Sequence, residues 1–559
     1  MFEDFRAQAA KILEKAGIKA ETGGLEEPPD PDFGDLAFPC FELAKKEGKK
    51  PVDLAKEIVA RLDLKGSVFR DAKVVGPYIN FFFDRGAISE AVVKEARKSD
   101  YGSGKSGEKI MMEYPAPNTN KPLHVGHMRN MAIGESISRI FEKNGSQVFR
   151  VNLLNNRGIH VCKSMLAYQK WGEGKEPEGK SDHFVGDFYV LFAKKAKENP
   201  ELEKEAQKML RKWESGDREV LVLWKKMNQW TEAGMEETFK RFGIRFDKVY
   251  RESEMYKMGR EMVMNGLQKG VFRKDDTGAI FFDLTKQGLD KKFLIRADGT
   301  TLYVTQDLYL ARLKYEEFNM DKSVYVVSNE QNYHFDVLFA LLEELRKLGF
   351  SFARKNVHLN YGYISLPSGR MKSREGTVVD ADDLMDEVKG MALEEVKKRN
   401  KMGEKEADVL AEKISLSAIK FFLLKYDEYK DFVFRPEESL SFEGETGPYL
   451  QYSLVRAKKI LEKAKENPRI GKLAEDEEFM LTKKLAKFPG VVKKAAENYK
   501  PHLVANYAYE LASLFSKFYE NCPVVGDEKE GERLAMVQAF IHVMRNCLEL
   551  MGIYEVEMM

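Results

Sequence analysis

The segment Lys109–Leu153 constrains the fold more than any other part of the sequence. It opens with a short apolar run at Lys109–Tyr114, continues through a loop into a helical pattern at Met128–Phe141, and ends in a β-rich run at Gln147–Leu153. A strand, a helix and a strand within about forty residues form a βαβ unit, which requires a parallel sheet with a right-handed crossover. The sequence therefore predicts a domain of the α/β class.

The regions on either side of this domain follow other patterns. Before the linker candidate Tyr101–Gly107, helical stretches and a β-rich pair of runs at Lys73–Phe83 predict a small α+β unit. After the α/β domain, apolar residues recur every three or four positions over Leu503–Phe518 and Leu534–Met551, which is typical of an all-α helix bundle. The further elements predicted inside the α/β part are strands at Ala279–Phe282, Leu302–Val304 and Val324–Val327, a helix at Asp336–Leu348 and a charged helical insertion near 172–240.

Composition excludes several classes of protein. The 559 residues are 43% hydrophobic and 32% charged, which excludes wholesale disorder, and no apolar run approaches the roughly 18 residues of a membrane helix. Met1–Lys15 is charged and lacks the apolar stretch of a secretory signal. The four cysteines lie far apart, so we expect a reducing cytoplasm and neither a zinc site nor a disulfide framework. With 91 basic and 90 acidic residues, a nucleic-acid partner would have to be held by local patches.

The strongest candidate site is Asn118–His127, NTNKPLHVGH, between the first strand of the βαβ unit and its helix. Ligands bind at this carboxyl edge of parallel sheets, and a helix N-terminus suits a phosphate group. His124 and His127 share one side of the first helical turn, so either can donate a hydrogen bond to a phosphate oxygen. Gly126 lets a base or sugar approach the backbone, and Lys121 lies just upstream. An isolated histidine is more often structural, but this pair in this place favours a catalytic site.

A second phosphate-binding candidate is Ser368–Gly376, SGRMKSREG. Arg370, Lys372 and Arg374 alternate there with small or apolar residues. Such a loop could close over a triphosphate and neutralise charge in the transition state. An ordinary basic surface loop is an equally open interpretation.

Taken together, these motifs resemble class I aminoacyl-tRNA synthetases. PNTNKPLHVGH is similar to their "HIGH" signature and RMKSR to a degenerate "KMSKS" loop. Within the class the resemblance is to arginyl-tRNA synthetases, through RADGTTLYVTQDLYLA, VVSNEQNYHF, ETGPYLQYSLVRA, PDPDFGDLAFPCFELAKK and GPYINFFF. It implies an additional N-terminal tRNA-binding domain at 1–100, a Rossmann-like catalytic domain at 101–380, a connecting helical region at 381–439 and an anticodon-binding helical domain at 440–559.

The resemblance also implies roles for individual residues. A planar guanidinium is best satisfied by carboxylates in fork geometry, and the family pattern places Glu113, Tyr303 and Asp307 at the guanidinium and Asn118 and Gln331 at the amino-acid backbone. The residues implied for ATP are Gly126, His334, Met371 and Arg374, and those implied for catalysis are His124, His127, Lys121 and Lys372. Because the usual second lysine of the loop falls on Ser373, either Lys121 or Lys372 could neutralise the transition state, and we favour Lys121.

The implied activity is ligation of L-arginine to tRNA(Arg) through an arginyl-adenylate, with ATP and Mg²⁺ as a substrate complex and no tightly bound metal. Tyr449, Tyr452 and Arg456 would contact the anticodon, and Lys458–Lys465 and Lys483–Lys500 could meet phosphates. The resemblance further implies a monomer with no membrane partner. Two alternatives stay open, namely another nucleotidyl transferase of the HxGH superfamily and a non-catalytic tRNA-binding relative.

Overall fold

A five-stranded parallel sheet organises the middle of the chain, in a computed structural model that describes residues 1–365, 367, 379–399 and 401–559. Its strands are β4 (Lys109–Glu113), β5 (Gln147–Leu154), β6 (Lys248–Arg251), β10 (Lys322–Ser328) and β11 (Lys355–Tyr361). Their order is β11-β10-β4-β5-β6, and all four neighbouring pairs are parallel. The order reverses between β4 and β10, and the carboxyl ends of strands at such a point form the ligand crevice of open α/β sheets. The predicted α/β class is confirmed.

Helices connect these strands on both sides of the sheet. They are α5 (Val125–Lys143), α6 (Ile159–Trp171), α7 (Ser181–Glu198), α8 (Glu201–Ser215), α9 (Arg218–Phe242), α10 (Glu252–Gln268), α11 (Tyr303–Phe318) and α12 (Asn332–Lys347). Between α10 and α11 lies a small antiparallel sheet of β7 (Arg273–Lys274), β8 (Ile280–Asp283) and β9 (Lys291–Ile295). Helices α7 to α9 lie between α6 and β6, in the region where the sequence predicts a helical insertion.

One predicted strand is wrong. Leu302–Val304 is not extended: Leu302 caps α11, and Tyr303 and Val304 form its first turn. Val304, Leu308 and Ala311 are buried in one apolar cluster at helical spacing. A run of three residues is too short for periodicity to separate a strand from the start of a buried helix.

The N-terminal unit is a three-stranded antiparallel sheet of order β1-β3-β2 with helices packed against it. Its elements are α1 (Phe2–Lys15), β1 (Leu36–Pro39), α2 (Phe41–Glu47), α3 (Pro51–Val59), β2 (Phe69–Val75), β3 (Tyr78–Phe83) and α4 (Arg85–Ala96). The predicted linker after it is anchored, because the Tyr101 hydroxyl donates to the Leu485 carbonyl at 2.8 Å. Gly102 has φ +81°, and a Cβ there would lie 2.4 Å from the Phe488 ring, so this position needs glycine.

The C-terminal part is almost entirely helical. It contains α13 (Ala381–Arg399), α14 (Glu404–Leu424), α15 (Pro436–Ser439), α16 (Gly447–Glu462), α17 (Asp476–Asn498), α18 (His502–Asn521) and α19 (Glu530–Leu550). A short strand, β13 (Phe432–Val433), pairs in parallel with β12 (Ile364–Ser365). Helix α17 packs against the N-terminal unit, where Lys483 pairs with Asp35 at 2.8 Å. None of the helices in the described ranges has the length and apolar character that crossing a membrane requires.

Candidate active site

The HVGH turn is a compact structure at the start of α5. The backbone N–H of His124 donates to Nδ1 of His127 at 3.1 Å, and the two ring centroids are 3.8 Å apart. A Cβ on Gly126 would lie 3.0 Å from the His124 ring, so the glycine lets the two imidazoles pack over the turn. Because Nδ1 of His127 accepts this hydrogen bond, a neutral His127 carries its proton on Nε2 and can donate from that atom.

Both imidazoles are held in the neutral form. Burial, reinforced by the charge of Lys121, lowers the pKa of His124 to about 3. Burial also lowers the pKa of His127 well below its usual value, with smaller contributions from His124 and Lys121. The turn therefore offers side-chain hydrogen bonds rather than fixed positive charge, at the positive dipole end of α5. This arrangement suits an oxyanion whose charge grows during a reaction.

The chain returns to the HVGH turn after the predicted basic loop. Val125 N–H donates to the Val379 carbonyl at 3.2 Å, and Ala381 N–H donates to the Leu123 carbonyl at 3.0 Å. The predicted loop residues Arg370, Met371, Lys372 and Arg374 lie outside the described residues.

A small cavity of about 200 Å³ lies beside the HVGH turn, lined by Lys121, His124, His183 and Asp380 among others. His183 comes from α7 and pairs with Asp380 at 3.2 Å. Hydrogen bonds to Asp380 and Asp382 raise the pKa of His183 to about 10. The positive charge of His183 therefore holds helix α7 against the segment 380–382, which lies beside the HVGH turn.

Arg129 links the same helix to the C-terminal part. Its buried guanidinium donates to the carbonyls of Gly362 at 2.7 Å, of Glu428 and Lys430 at 3.0 Å each, and of Asp427 at 3.4 Å. The cation also lies 4.6 Å from the centre of the Phe432 ring. Arg129 therefore fixes α5 to the segment that follows β11 and to the segment that precedes β13.

The second half of the candidate site lies on α11 and after β10. Asp307 and His334 make a 2.8 Å contact between Oδ2 and Nε2. Tyr303, one turn before Asp307, is 73% exposed, and Gln331 is exposed just beyond the end of β10. Asn118 is exposed, and its backbone forms an isolated parallel β-bridge with that of Asn155. These side chains and the HVGH turn are at the same edge of the sheet, around the point where the strand order reverses.

Glu113 has a partner that the sequence does not reveal. It ends β4 and is buried, and its Oε2 accepts a hydrogen bond from Nζ of Lys314, a fully enclosed residue of α11. Nothing in the helical stretch around Lys314 distinguishes it from a surface lysine, so sequence reasoning had no signal for this pair.

Sequence reasoning also missed Glu252, the first residue of α10. Burial is the largest cause that raises the pKa of Glu252 to about 7, and the charge of Asp307 adds to it. With its amide turned to satisfy both neighbours, Gln306 donates to Glu252 at 3.0 Å and accepts from Arg157 at 3.0 Å. Glu252 directly follows β6 at the carboxyl edge of the sheet, and this position is a sequence signal that could have identified it as a candidate site residue.

The three aromatic and basic residues predicted on α16 line a groove in the C-terminal part. A cavity of about 790 Å³ is lined by Tyr449, Tyr452 and Arg456 together with Arg399 and Phe442 among others. Tyr452 is 40% exposed. The guanidinium of Arg456 lies 4.0 Å from the centre of the Tyr519 ring and the guanidinium of Arg399 lies 4.0 Å from that of Phe442. The groove therefore combines aromatic rings with guanidinium planes, both of which are flat groups on which unpaired bases can stack.

Several lysines of the predicted basic stretch 483–500 form ion pairs within the protein. Lys483 pairs with Asp35, Lys487 with Glu27 at 2.6 Å, and Lys500 with Asp427 at 3.0 Å. These pairs join helix α17 and the turn after it to other parts of the chain. All three lysines are thus engaged within the protein, and a contact between the stretch 483–500 and phosphates stays a prediction.

Comparison with known proteins identifies the family. Residues 88–435 match the family model "tRNA synthetases class I (R), catalytic domain", residues 450–559 the "DALR anticodon binding domain" and residues 3–83 the "Arginyl tRNA synthetase N terminal domain". The chain is 45% identical to an arginine–tRNA ligase of Treponema denticola, with 100% of both chains covered, and 40% identical to one of Parabacteroides distasonis, with 97% and 96% covered. Its structure resembles a Thermus thermophilus arginyl-tRNA synthetase with a TM-score of 0.83 and 26% identity, over 100% and 99% of the two chains. The chain belongs to the arginyl-tRNA synthetase family of class I tRNA synthetases.

Proposed function

We propose that the protein ligates L-arginine to tRNA(Arg) in an ATP-dependent reaction that passes through arginyl-adenylate. The observation that carries this proposal is the arrangement at the reversal point of the sheet. A neutral histidine turn on a helix N-terminus follows β4, and Asp307 and Glu113 lie on the α11 side of the same edge. The first group suits a phosphate and the second a planar cation.

In the first step, the arginine carboxylate attacks the α-phosphorus of ATP, and pyrophosphate leaves as the adenylate forms. No proton has to move in this step, so the protein acts by positioning and by stabilising charge. His127 donates from Nε2, and His124 supports the turn and faces the same phosphate. ATP enters as its Mg²⁺ complex, because a hard cation binds phosphate oxygens well. In the second step, the terminal adenosine of the tRNA attacks the adenylate carbonyl, and AMP leaves.

Asp307 and Glu113 receive the guanidinium, with Tyr303 at the mouth of the pocket, while Asn118 and Gln331 hold the amino-acid backbone. Gly126, His334, Met371 and Arg374 are the further residues assigned to ATP. Of the two lysines that could neutralise the transition state, Lys121 is favoured because it lies beside the HVGH turn and lines the same cavity as His124. Burial lowers the pKa of Lys121, which is expected of an ammonium group held close to its target in a site partly shielded from water.

The tRNA contacts both ends of the chain. Tyr449, Tyr452 and Arg456 bind unpaired bases of the anticodon in the α16 groove, and the N-terminal unit meets the body of the tRNA. The enzyme acts in the cytoplasm, in keeping with its four buried cysteines, none of which is in a disulfide. The resemblance to arginyl-tRNA synthetases supports a monomer.

An aminoacylation assay tests this function and separates it from the alternatives. Purified protein is incubated with ATP, Mg²⁺, tRNA and labelled arginine, lysine or cysteine, and charged tRNA is counted. We expect charging with arginine alone, because a pocket built around hydrogen bonds to a guanidinium rejects side chains that lack it by roughly 10⁴-fold.

The variant pair Asp307→Asn and Asp298→Asn completes the test. Asp298 is an exposed aspartate in the turn between β9 and α11. Only Asp307→Asn should raise the arginine KM, by about 100-fold. A wild-type protein that binds tRNA but charges no amino acid would be a non-catalytic relative, and one that adenylates another small molecule would be a different nucleotidyl transferase.

A further inference from the structure

Lys314 is an enclosed cation next to the proposed arginine pocket. Its side chain is 0% exposed, its ammonium group donates to Glu113, and it lies 4.5 Å from the centre of the Tyr325 ring. An ammonium group is strongly disfavoured away from water unless it is paired and hydrogen-bonded. The pairing of Lys314 with Glu113 therefore has to persist in the folded protein.

The pair lies directly at the reversal point of the sheet. Glu113 is the last residue of β4 and is in register with Tyr325 of β10. Lys314 lies two helical turns after Asp307 on α11, and residues seven apart share one helix face. The charged and titratable groups that act on the Lys314 ammonium are Glu113 from β4, Tyr325 from β10 and Asp307 from its own helix.

We propose that Lys314 is a resident counter-cation of the arginine pocket. It positions Glu113 and balances the charge of that carboxylate, so that one of the two pocket carboxylates remains to be balanced by substrate. The pocket then matches a ligand side chain of a single positive charge. This inference rests on the proposed function, since it assigns the guanidinium to Asp307 and Glu113.

The arrangement gives Glu113 two effects on arginine binding. Glu113 attracts the guanidinium, and it also screens that guanidinium from the positive charge of Lys314. When Glu113 is neutralised, both effects are lost, and the Lys314 ammonium, which the charge of Asp307 on the same helix still favours, repels the substrate. When Lys314 is then neutralised as well, the repulsion ends although Glu113 is still missing. A lysine that only supports the packing of α11 would not produce this recovery.

Isothermal titration of the full-length protein with L-arginine tests the proposal. We expect Glu113→Gln to weaken arginine binding by about 100-fold, and Glu113→Gln/Lys314→Met to recover about tenfold of that loss, because repulsion between two nearby like charges at a protein-like dielectric constant is on the order of a tenfold effect or more. Equal arginine affinities in the single and double variants would overturn the proposal.

The matched control is Glu113→Gln/Lys420→Met. Lys420 is also buried, but it lies on α14 and donates to the Gly552 carbonyl at 2.8 Å, away from Glu113. Removing this lysine should recover no arginine affinity, and a similar recovery here would show that any lost lysine produces the effect. Because the double variant removes both charges of the pair together, it is expected to fold. Should it not, Glu113→Gln/Lys314→Gln repeats the test with two amides that can bond to each other.

The outcomes also separate this inference from the proposed function. A wild-type protein that binds no arginine would reject the pocket and with it the role of Lys314. A wild-type protein that charges tRNA with arginine, combined with equal affinities in the two variants, would reject the role of Lys314 alone.

Discussion

Replacing Arg129 should loosen the junction between α5 and the segments 361–365 and 427–434. Three of its four hydrogen bonds to carbonyls are 3.0 Å or shorter, and a bond from a charged donor contributes about 1.5–3 kcal/mol. Part of this gain is offset, because burial disfavours the cation and lowers the pKa of Arg129 to about 10. We therefore expect Arg129→Met to lower the free energy of opening this junction by about 4 kcal/mol.

Hydrogen exchange followed by mass spectrometry measures this opening directly. The reporting amides are Gly362, which donates to the Glu428 carbonyl at 2.9 Å, Phe432, which donates to Tyr363 at 3.1 Å, and Phe434, which donates to Ser365 at 2.9 Å. A loss of about 4 kcal/mol should make these amides exchange roughly 10²–10³-fold faster when they exchange through local opening. Arg129→Lys keeps the positive charge but loses the planar, forked set of donors, so its exchange rates should fall between those of wild type and Arg129→Met.

The control is Arg312→Met, which removes a half-exposed arginine on α11 that pairs with Glu316 one turn away. Such surface ion pairs contribute little to stability, so the hydrogen-exchange rates of the amides at the α5 junction should not change. Wild-type exchange rates in Arg129→Met would refute the reasoning, and so would equal rates in Arg129→Lys and wild type, because the planar fork would then be irrelevant.

Two further predictions concern tRNA binding and acid stability. Tyr452→Ala should raise the KM for tRNA about tenfold in charging assays and leave the arginine KM unchanged, because stacking on a base contributes about 1–3 kcal/mol to binding. The control is Tyr429→Ala, which removes a 56% exposed tyrosine that is not among the groove residues named for α16. An equal rise in the KM for tRNA in this control would contradict the assignment of Tyr452. Because burial lowers the pKa values of His124 and His127, the unfolded chain takes up protons first on acidification, so their contribution to stability is complete above about pH 6.5 and is lost as pH falls towards 3. The unfolding temperature of wild type should therefore fall more steeply between pH 7 and 5 than that of His124→Asn, and parallel curves would show that His124 is not responsible.

The parts of the fold that the sequence predicts well are those with a long repeating pattern or a local signature. The βαβ unit, the HVGH turn and the helices at Leu503–Phe518 and Leu534–Met551 all have one. The strand predicted at Leu302–Val304 has neither, since three apolar residues fit the first turn of a buried helix equally well. Prediction by local pattern therefore fails where an element is short and its burial is decided by the rest of the chain.

Charged residues show a second limit, because their role depends on partners that are distant in sequence. Lys314 is separated from Glu113 by 201 positions, and Lys483 from Asp35 by 448. Both lysines occur in ordinary amphipathic helices, where the usual expectation is a solvated side chain, yet one is enclosed and the other joins two parts of the chain. A pairing of this kind follows from how β4, α11 and α17 are placed in space, which no local pattern specifies. The chemistry of the proposed arginine pocket is thus only half visible in the sequence. The acids can be named from the family resemblance, whereas the lysine that pairs with Glu113 is identified only when α11 is packed against the end of β4.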